Sequence, residues 1–169
     1  MRPSPTSYAP FYETYVSLVT EEDLAEAFHR STEEMLETLD SIPTEKSDHA
    51  YAEGKWTVRQ LLQHVIDTER VFSYRAVCVA RGEQQPLPGF DENAYAAAAD
   101  VSGRTLKDLK EELLLLRSSV VLMFKGFTQD MLQQVGTASG KPVSTLALGY
   151  IIIGHIRHHF RILHERYGI

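Results

Sequence analysis

The sequence has a single cysteine, Cys78, among 169 residues, and it carries no excess of basic charge. One cysteine cannot form an internal disulfide, which agrees with a reducing compartment. Lysine and arginine total 17 against 23 acidic residues, for a formal net charge of −6. The basic residues form no stripe along the chain, so we expect no nucleic-acid-binding surface.

Long hydrophobic runs are also missing. The first residues, MRPSPTSYAPFYETY, place prolines where a secretory signal needs an uninterrupted apolar core. No later stretch approaches the length of a membrane span. We therefore expect a cytoplasmic protein that does not bind membranes. The hydrophobic content of 43% and charged content of 24% are ordinary for a globular protein.

The length of the chain predicts one domain over residues 1–169. Residues 1–19 are broken by three prolines and predict an irregular N-terminal arm. Several of its apolar side chains are expected to dock on the domain. They are Phe11, Tyr12, Tyr15, Val16 and Leu18.

What is present is helical periodicity. Apolar residues recur at spacings of three and four in four segments, which predict four amphipathic helices. Their approximate limits are residues 20–42, 57–81, 105–126 and 144–168. Residues 81–104 are rich in glycine and proline and predict a long crossover between helices two and three. Residues 135–143 contain Gly136, Gly140 and Pro142 and are predicted to be a loop. The pattern indicates an all-α fold, a four-helix bundle without strands.

Histidines are concentrated in the last predicted helix. Four of the seven lie in residues 154–167, GHIRHHFRILHERY. At roughly 100° per residue, His159 falls inside the apolar arc and His155 at its buried edge, whereas His158 and His164 fall among charged residues. Histidines at i and i+4 point the same way from adjacent turns and can bind one metal ion. Equally, each could be a core or boundary histidine with its own hydrogen-bond partner.

The second predicted helix carries three further candidates. His64 lies at the border of the buried face, where a ligand is permitted but not required. Glu69 falls toward the middle of the apolar arc, and a buried unpaired carboxylate is costly. It should meet Arg75, Arg117 or a metal-bound group, or lie where the helix end reaches water. Asp67 is either a solvated acid or a partner that orients a histidine.

The crossover contains one segment with a candidate role. The residues from Leu87 to Tyr95, LPGFDENAY, could shape the mouth of a pocket, since long connections often carry function. They could equally form a surface crossover between distant helix ends.

Three stretches of the chain resemble the DinB-like superfamily of metal-binding four-helix bundles. They are GKWTVRQLLQHVIDTER, LPGFDENAY and GTASGKPVSTLALGYIIIGHIRHHFRILHERY, and the resemblance covers nearly the whole chain from Phe11 onward. In that family one histidine of the second helix and an HxxxH pair of the last helix bind a divalent ion. The resemblance therefore implies that His64, His155 and His159 are metal ligands. It assigns no other catalytic or cofactor-binding residue.

The resemblance also implies a reaction class. Three neutral imidazoles leave a divalent ion, zinc or nickel foremost, its full charge and an open position. Such a centre lowers the pKa of bound water or of a bound thiol. Members of the superfamily include bacillithiol- and mycothiol-dependent S-transferases, a mycothiol-dependent isomerase and proteins proposed to be metal-dependent hydrolases.

We expect a metal-dependent transferase that joins a low-molecular-weight thiol to a small electrophilic substrate. The alternatives are a metal-dependent hydrolase and a non-enzymatic stress-response protein that binds metal. Relatives are often dimers, and the residues of this chain leave a homodimer open.

Overall fold

The apolar periodicity of the sequence produces four long helices joined by short elements. The computed structural model describes residues 1–169. In chain order its helices and strands are α1 (Glu13–Val16), α2 (Leu24–Ser41), α3 (Val58–Ala80), α4 (Glu92–Ala98), α5 (Leu106–Lys125), α6 (Gln129–Gln133), β1 (Val135–Ala138), β2 (Lys141–Ser144) and α7 (Thr145–Tyr167). The long helices α2, α3, α5 and α7 form the bundle, which confirms the predicted fold class.

Local hydrogen bonds determine where the two histidine-bearing helices begin. The Thr57 hydroxyl accepts from the backbone N–H of Gln60, and the Gln60 side chain accepts from the backbone N–H of Thr57. This reciprocal capping box starts α3. The Ser144 hydroxyl accepts from the backbone N–H of Ala147 and starts α7, which ends at Gly168 in the left-handed conformation.

The long helices do not pack in simple sequence order. Both α2 and α3 pack against α5 and against α7, whereas α2 and α3 make no comparable interface with each other. Two helices that follow one another in the sequence therefore lie across the bundle from each other. As a consequence α7 lies beside α3, and the histidines of both helices face the same interior.

The bundle interior contains two hydrophobic clusters with polar side chains between them. One cluster includes Phe28, Phe72 and Ile151, and the other includes Met35, Ile66 and Ile156. At the level where the clusters meet, each long helix contributes a buried polar side chain. These are Ser31 of α2, Glu69 of α3, Arg117 of α5 and His155 of α7.

The N-terminal arm lies across α7. Tyr12 and Val16 are buried, but Phe11, expected among the docking residues, is 62% exposed. The arm crosses α7 at Gly154, where a Cβ atom would lie only 2.0 Å from the carbonyl oxygen of Tyr15. Glycine at this position therefore permits the close approach of the arm to the helix.

Residues 135–143, predicted to be a loop, instead belong to an antiparallel β-hairpin. Val135 pairs with Ser144 and Ala138 with Lys141. The turn residues Ser139 and Gly140 have φ of 52° and 72°, as tight hairpin turns require. The prediction was wrong because each strand has only four residues, and Gly136 and Pro142 interrupt their alternation.

The hairpin and the crossover are joined by backbone hydrogen bonds. Leu87 donates to the carbonyl oxygen of Thr137 at 2.8 Å and accepts from Ser139 at 3.1 Å. The short helix α6 lies between α5 and the hairpin. None of the helices combines the length and apolar content needed to cross a bilayer.

Candidate metal centre

Three histidine rings from two helices meet inside the bundle. Nε2 of His64 on α3 lies 3.2 Å from Nε2 of His155 and 3.1 Å from Nε2 of His159, both on α7. One ligand atom of each histidine lies within 4.8 Å of the others. His158 and His164, predicted to face away, do not belong to this group.

Burial keeps all three rings neutral. Loss of water contact lowers the pKa of His64 to about 4, with a smaller contribution from nearby His158. Burial also holds the pKa of His155 and His159 well below the ordinary value, and the neighbouring histidines lower both further. Near neutral pH the three side chains are therefore uncharged, which is the form of imidazole that binds a metal ion.

The spacing of the nitrogen atoms suits a shared cation better than a set of hydrogen bonds. A proton on Nε2 of His64 can point to only one of the two facing nitrogens, and Nδ1 of His159 is buried without any partner. Zinc–nitrogen bonds of about 2.0–2.1 Å in tetrahedral geometry place ligand nitrogens roughly 3.3 Å apart. Two of the three nitrogen pairs approach this separation. An all-imidazole set suits zinc, nickel, copper or iron rather than magnesium or calcium.

Aromatic side chains hold the rings of this group in position. The indole of Trp56 packs on the His64 ring with centroids 4.7 Å apart. The Tyr15 ring from the arm meets the His155 ring at 5.3 Å, and the Phe72 ring meets it at 6.0 Å. Burial, followed by the charge of Glu92, raises the pKa of Tyr15 to about 12, so its hydroxyl is neutral.

Glu69 pairs with Arg117, one of the two arginines that the sequence offered. The guanidinium donates from Nε and Nη2 to the two carboxylate oxygens, each at 2.8 Å. Arg117 also donates to the Ser31 hydroxyl at 3.2 Å. Asp67 accepts from the Gln63 amide at 2.9 Å and makes no hydrogen bond to a histidine, so it does not orient any of the three rings in that way.

Two cavities reach the histidine group from different sides. One of about 270 Å³ is lined by His159, Trp56 and Asn93 among others. The second, of about 160 Å³, is lined by His155, and its remaining walls are formed mainly by aromatic residues and Arg75. The segment from Leu87 to Tyr95 supplies Asn93 to the first cavity and Phe90 to the second. This segment therefore forms part of a pocket wall.

Sequence reasoning did not assign several residues of this region to the site. Tyr15 was expected only to dock the arm and Arg75 only as a partner for Glu69, and Trp56 was not among the candidate site residues. The sequence did contain a signal for Thr68 and Phe72. Spacings of four, four and three residues separate His64, Thr68, Phe72 and Arg75. Such spacing places all four on one stripe of α3.

The fold and the buried histidine group place the protein among helical bundles with a candidate metal centre. The sequence profile described as the DinB superfamily matches residues 27–163, and the chain belongs to that superfamily. This confirms the family predicted from the sequence.

Two similar proteins carry descriptions that concern metal chemistry. The curated protein "Putative metal-dependent hydrolase OB0413" of Oceanobacillus iheyensis is 30% identical over 87 residues, which cover 50% of each protein. The chain thus spans about half the length of that relative. The solved structure of YfiT from Bacillus subtilis, described as "a probable metal-dependent hydrolase with an unusual four-helix bundle topology", superposes with a TM-score of 0.75. The match covers 99% of this chain and 92% of YfiT at 14% identity, and it shows a shared fold.

Proposed function

We propose that the protein is a divalent-metal-dependent enzyme whose ion is held by His64, His155 and His159. The convergence of three buried Nε2 atoms carries this proposal. A divalent ion held by these three neutral imidazoles would keep its full charge and would lower the pKa of a thiol or water that reaches it.

The protein's own residues prepare this site before any substrate arrives. Trp56 and Tyr15 limit the rotation of the His64 and His155 rings, so little ordering is needed when a ligand binds. Burial keeps the rings unprotonated and limits their contact with bulk water. A small dielectric constant around the site strengthens every electrostatic interaction within it.

The two cavities favour a reaction between two substrates. One cavity reaches the group beside His159 and the other beside His155, so two molecules can approach from different directions. We therefore propose that a low-molecular-weight thiol and a small electrophile are the substrates. The thiol sulfur forms a bond to an electrophilic carbon, the leaving group departs with the electron pair, and the thiol proton passes to solvent.

Hydrolysis is the second candidate, and the descriptions of the two similar proteins favour it. It needs one organic substrate and water, and it predicts product without any thiol. It also predicts a rate that rises with pH as the attacking water loses a proton.

One pair of assays separates these candidates. Zinc- or nickel-loaded protein is incubated with 1-chloro-2,4-dinitrobenzene and N-acetylcysteine, and separately with 4-nitrophenyl acetate without thiol. Thiol-dependent chloride release above the metal-free rate supports transfer, whereas ester cleavage without thiol supports hydrolysis. Either activity should be lost in His155→Ala and kept in His164→Ala, whose ring lies outside the group. No acceleration in either assay by metal-loaded protein would contradict an enzymatic role and favour a non-enzymatic metal-binding protein.

A further inference from the structure

We propose that the 160 Å³ cavity beside His155 recognises a small carboxylate with a flat aromatic body, and that Arg75 binds the carboxylate. This inference rests on the proposed function, because it assigns the class of one substrate of the same site. The cavity combines an unbalanced buried positive charge, an unpartnered hydroxyl and aromatic walls, and each of these is a separate observation.

The guanidinium of Arg75 has no acidic partner. Arg75 is only 3% exposed, yet no carboxylate oxygen lies within 4.0 Å of its guanidinium nitrogens. It donates to three neutral oxygens, the carbonyl of Pro88 at 2.7 Å, the Ser139 hydroxyl at 3.2 Å and the Tyr12 hydroxyl at 3.4 Å. Burial of a charge without a counter-ion is costly. An anionic ligand in the adjoining cavity would remove that cost.

Arg117 provides an internal comparison. It is as deeply buried as Arg75, but its Nε and Nη2 groups both donate to the carboxylate of Glu69. A guanidinium has five N–H donors in a planar fork that matches a carboxylate. Arg117 therefore has its carboxylate from the protein, whereas Arg75 borders a cavity with donors not used by any acid.

Thr68 adds a second polar group to the same cavity. Its residue is 2% exposed, it lines the cavity, and its hydroxyl oxygen has no hydrogen-bond partner. Buried hydroxyls normally find a partner. Thr68 lies between His64 and Arg75 on the same stripe of α3, so a ligand that reaches from the histidine group to Arg75 passes this hydroxyl.

The size and walls of the cavity define the body of the ligand. A cavity of roughly 150 Å³ with apolar walls holds a benzene molecule, and this one is about 160 Å³. Its walls include the rings of Tyr12, Tyr15, Phe72 and Phe90. These features fit a benzoate-sized molecule, with the carboxylate at Arg75 and the opposite end of the ring toward His155.

Glu92 is the acid that competes with this assignment. It lines the same cavity from an exposed position at the start of α4, and it makes no ion pair with Arg75. If no ligand is needed, movement of this side chain would supply the missing counter-ion. Replacing it therefore separates the two explanations.

The test is isothermal calorimetry of zinc-supplemented protein with benzoate, and with benzyl alcohol as an uncharged probe of similar size. We expect benzoate to bind, and Arg75→Met to weaken it at least about tenfold while leaving benzyl alcohol unchanged. Thr68→Val should weaken benzoate about threefold without lowering Tm, because an unpartnered hydroxyl is removed. Glu92→Gln should strengthen benzoate binding.

Three results would overturn the inference. They are no benzoate binding by the wild type, equal affinity in wild type and Arg75→Met, and a fall in Tm of Glu92→Gln without tighter benzoate binding. If Arg75→Met does not fold, Thr68→Val decides, and unchanged affinity in it is the contradicting result. The benzoate series is repeated with protein from which metal has been removed by chelation, and this series measures carboxylate recognition alone. Metal binding is measured by a separate titration with zinc, and its absence would contradict the proposed function.

Discussion

Arg157 lies between His155 and His159 in the sequence of α7. Its side chain forms hydrogen bonds that link α7 to neighbouring segments. It donates to both carboxylate oxygens of Glu21 at 2.8 Å and to those of Glu34 at 2.8 and 3.0 Å. It also donates to the carbonyl oxygen of Leu18 at 3.2 Å. The hydrogen bonds from Arg157 outweigh burial and lower the pKa of Glu21 to about 2. One side chain thereby connects the arm and α2 to the helix with the histidine pair.

This pairing predicts how stability depends on pH. Glu21 has a pKa lowered from 4.5 to about 2 in the folded protein. Its contribution to the free energy of unfolding is therefore complete above pH 4.5 and is lost as the pH falls toward 2. The pKa difference corresponds to an upper limit of roughly 3 kcal/mol. We expect Glu21→Gln to lower the free energy of unfolding at pH 7 and to flatten its decline between about pH 5 and 2.

Urea unfolding at a series of pH values measures this effect. The exposed neighbour Glu22 provides the control, because Glu22→Gln should leave the profile of the wild type in place. An unchanged acid slope in Glu21→Gln would show that the ion pair does not control acid stability.

The contact between the arm and α7 decides how well the histidine group is covered. The Tyr15 ring meets the His155 ring in an edge-to-face arrangement, and the backbone of Tyr15 reaches that position only because residue 154 has no Cβ atom. The arm is therefore held by a single close backbone approach as well as by its buried apolar side chains.

Gly154→Ala should displace the arm without altering the histidines themselves. The new methyl group would overlap the Tyr15 carbonyl, and overpacking of this kind costs about 1–3 kcal/mol. We expect a lower Tm and faster proteolytic cleavage within residues 1–19. Gly103→Ala is the matched control, since nothing lies within 4 Å of its added Cβ atom. Equal cleavage rates for both variants would contradict this role of Gly154.

The pair formed by Glu69 and Arg117 joins three of the long helices near the histidine group. Glu69 belongs to α3 and Arg117 to α5, and the Ser31 hydroxyl of α2 accepts from the same guanidinium. Each ion is almost completely buried, so removal of one leaves the other without compensation.

A double-mutant cycle tests this coupling. Glu69→Leu and Arg117→Met should each lower the free energy of unfolding by about 3–5 kcal/mol, because each leaves a buried charge unpaired. The double variant should lose clearly less than the sum, since both charges are then absent. Additive losses, measured by urea unfolding, would show that the two side chains do not act as a pair.

At the scale of the whole molecule, the structure distinguishes the features that helical periodicity predicts from those that depend on packing between helices. Periodicity predicted the four helices because each buries one continuous face. It also paired His155 with His159, since both lie on one helix. It could not place His64, because a border position points into whichever groove the packing creates. The approach of His64 to the other two depends on α3 lying beside α7.

The remaining features could not be predicted from the sequence mainly because they depend on contacts between segments that are distant in the chain. The sequence offered both Arg75 and Arg117 to Glu69, and only the packing of α5 against α3 selects Arg117. The cover of Tyr15 over His155 likewise depends on where the arm crosses α7, although Gly154 marks that crossing. The hairpin was missed because its strands are too short for an alternating pattern to develop.

The most direct test of the account is the metal content of the purified protein after loading with zinc and removal of free ion. We predict one ion per chain by elemental analysis for the wild type and for His164→Ala. Loss of the ion is predicted for His64→Ala, His155→Ala and His159→Ala, each confirmed as folded by circular dichroism. A wild type that retains no ion, or a His155→Ala variant that retains the full amount, would contradict the shared site.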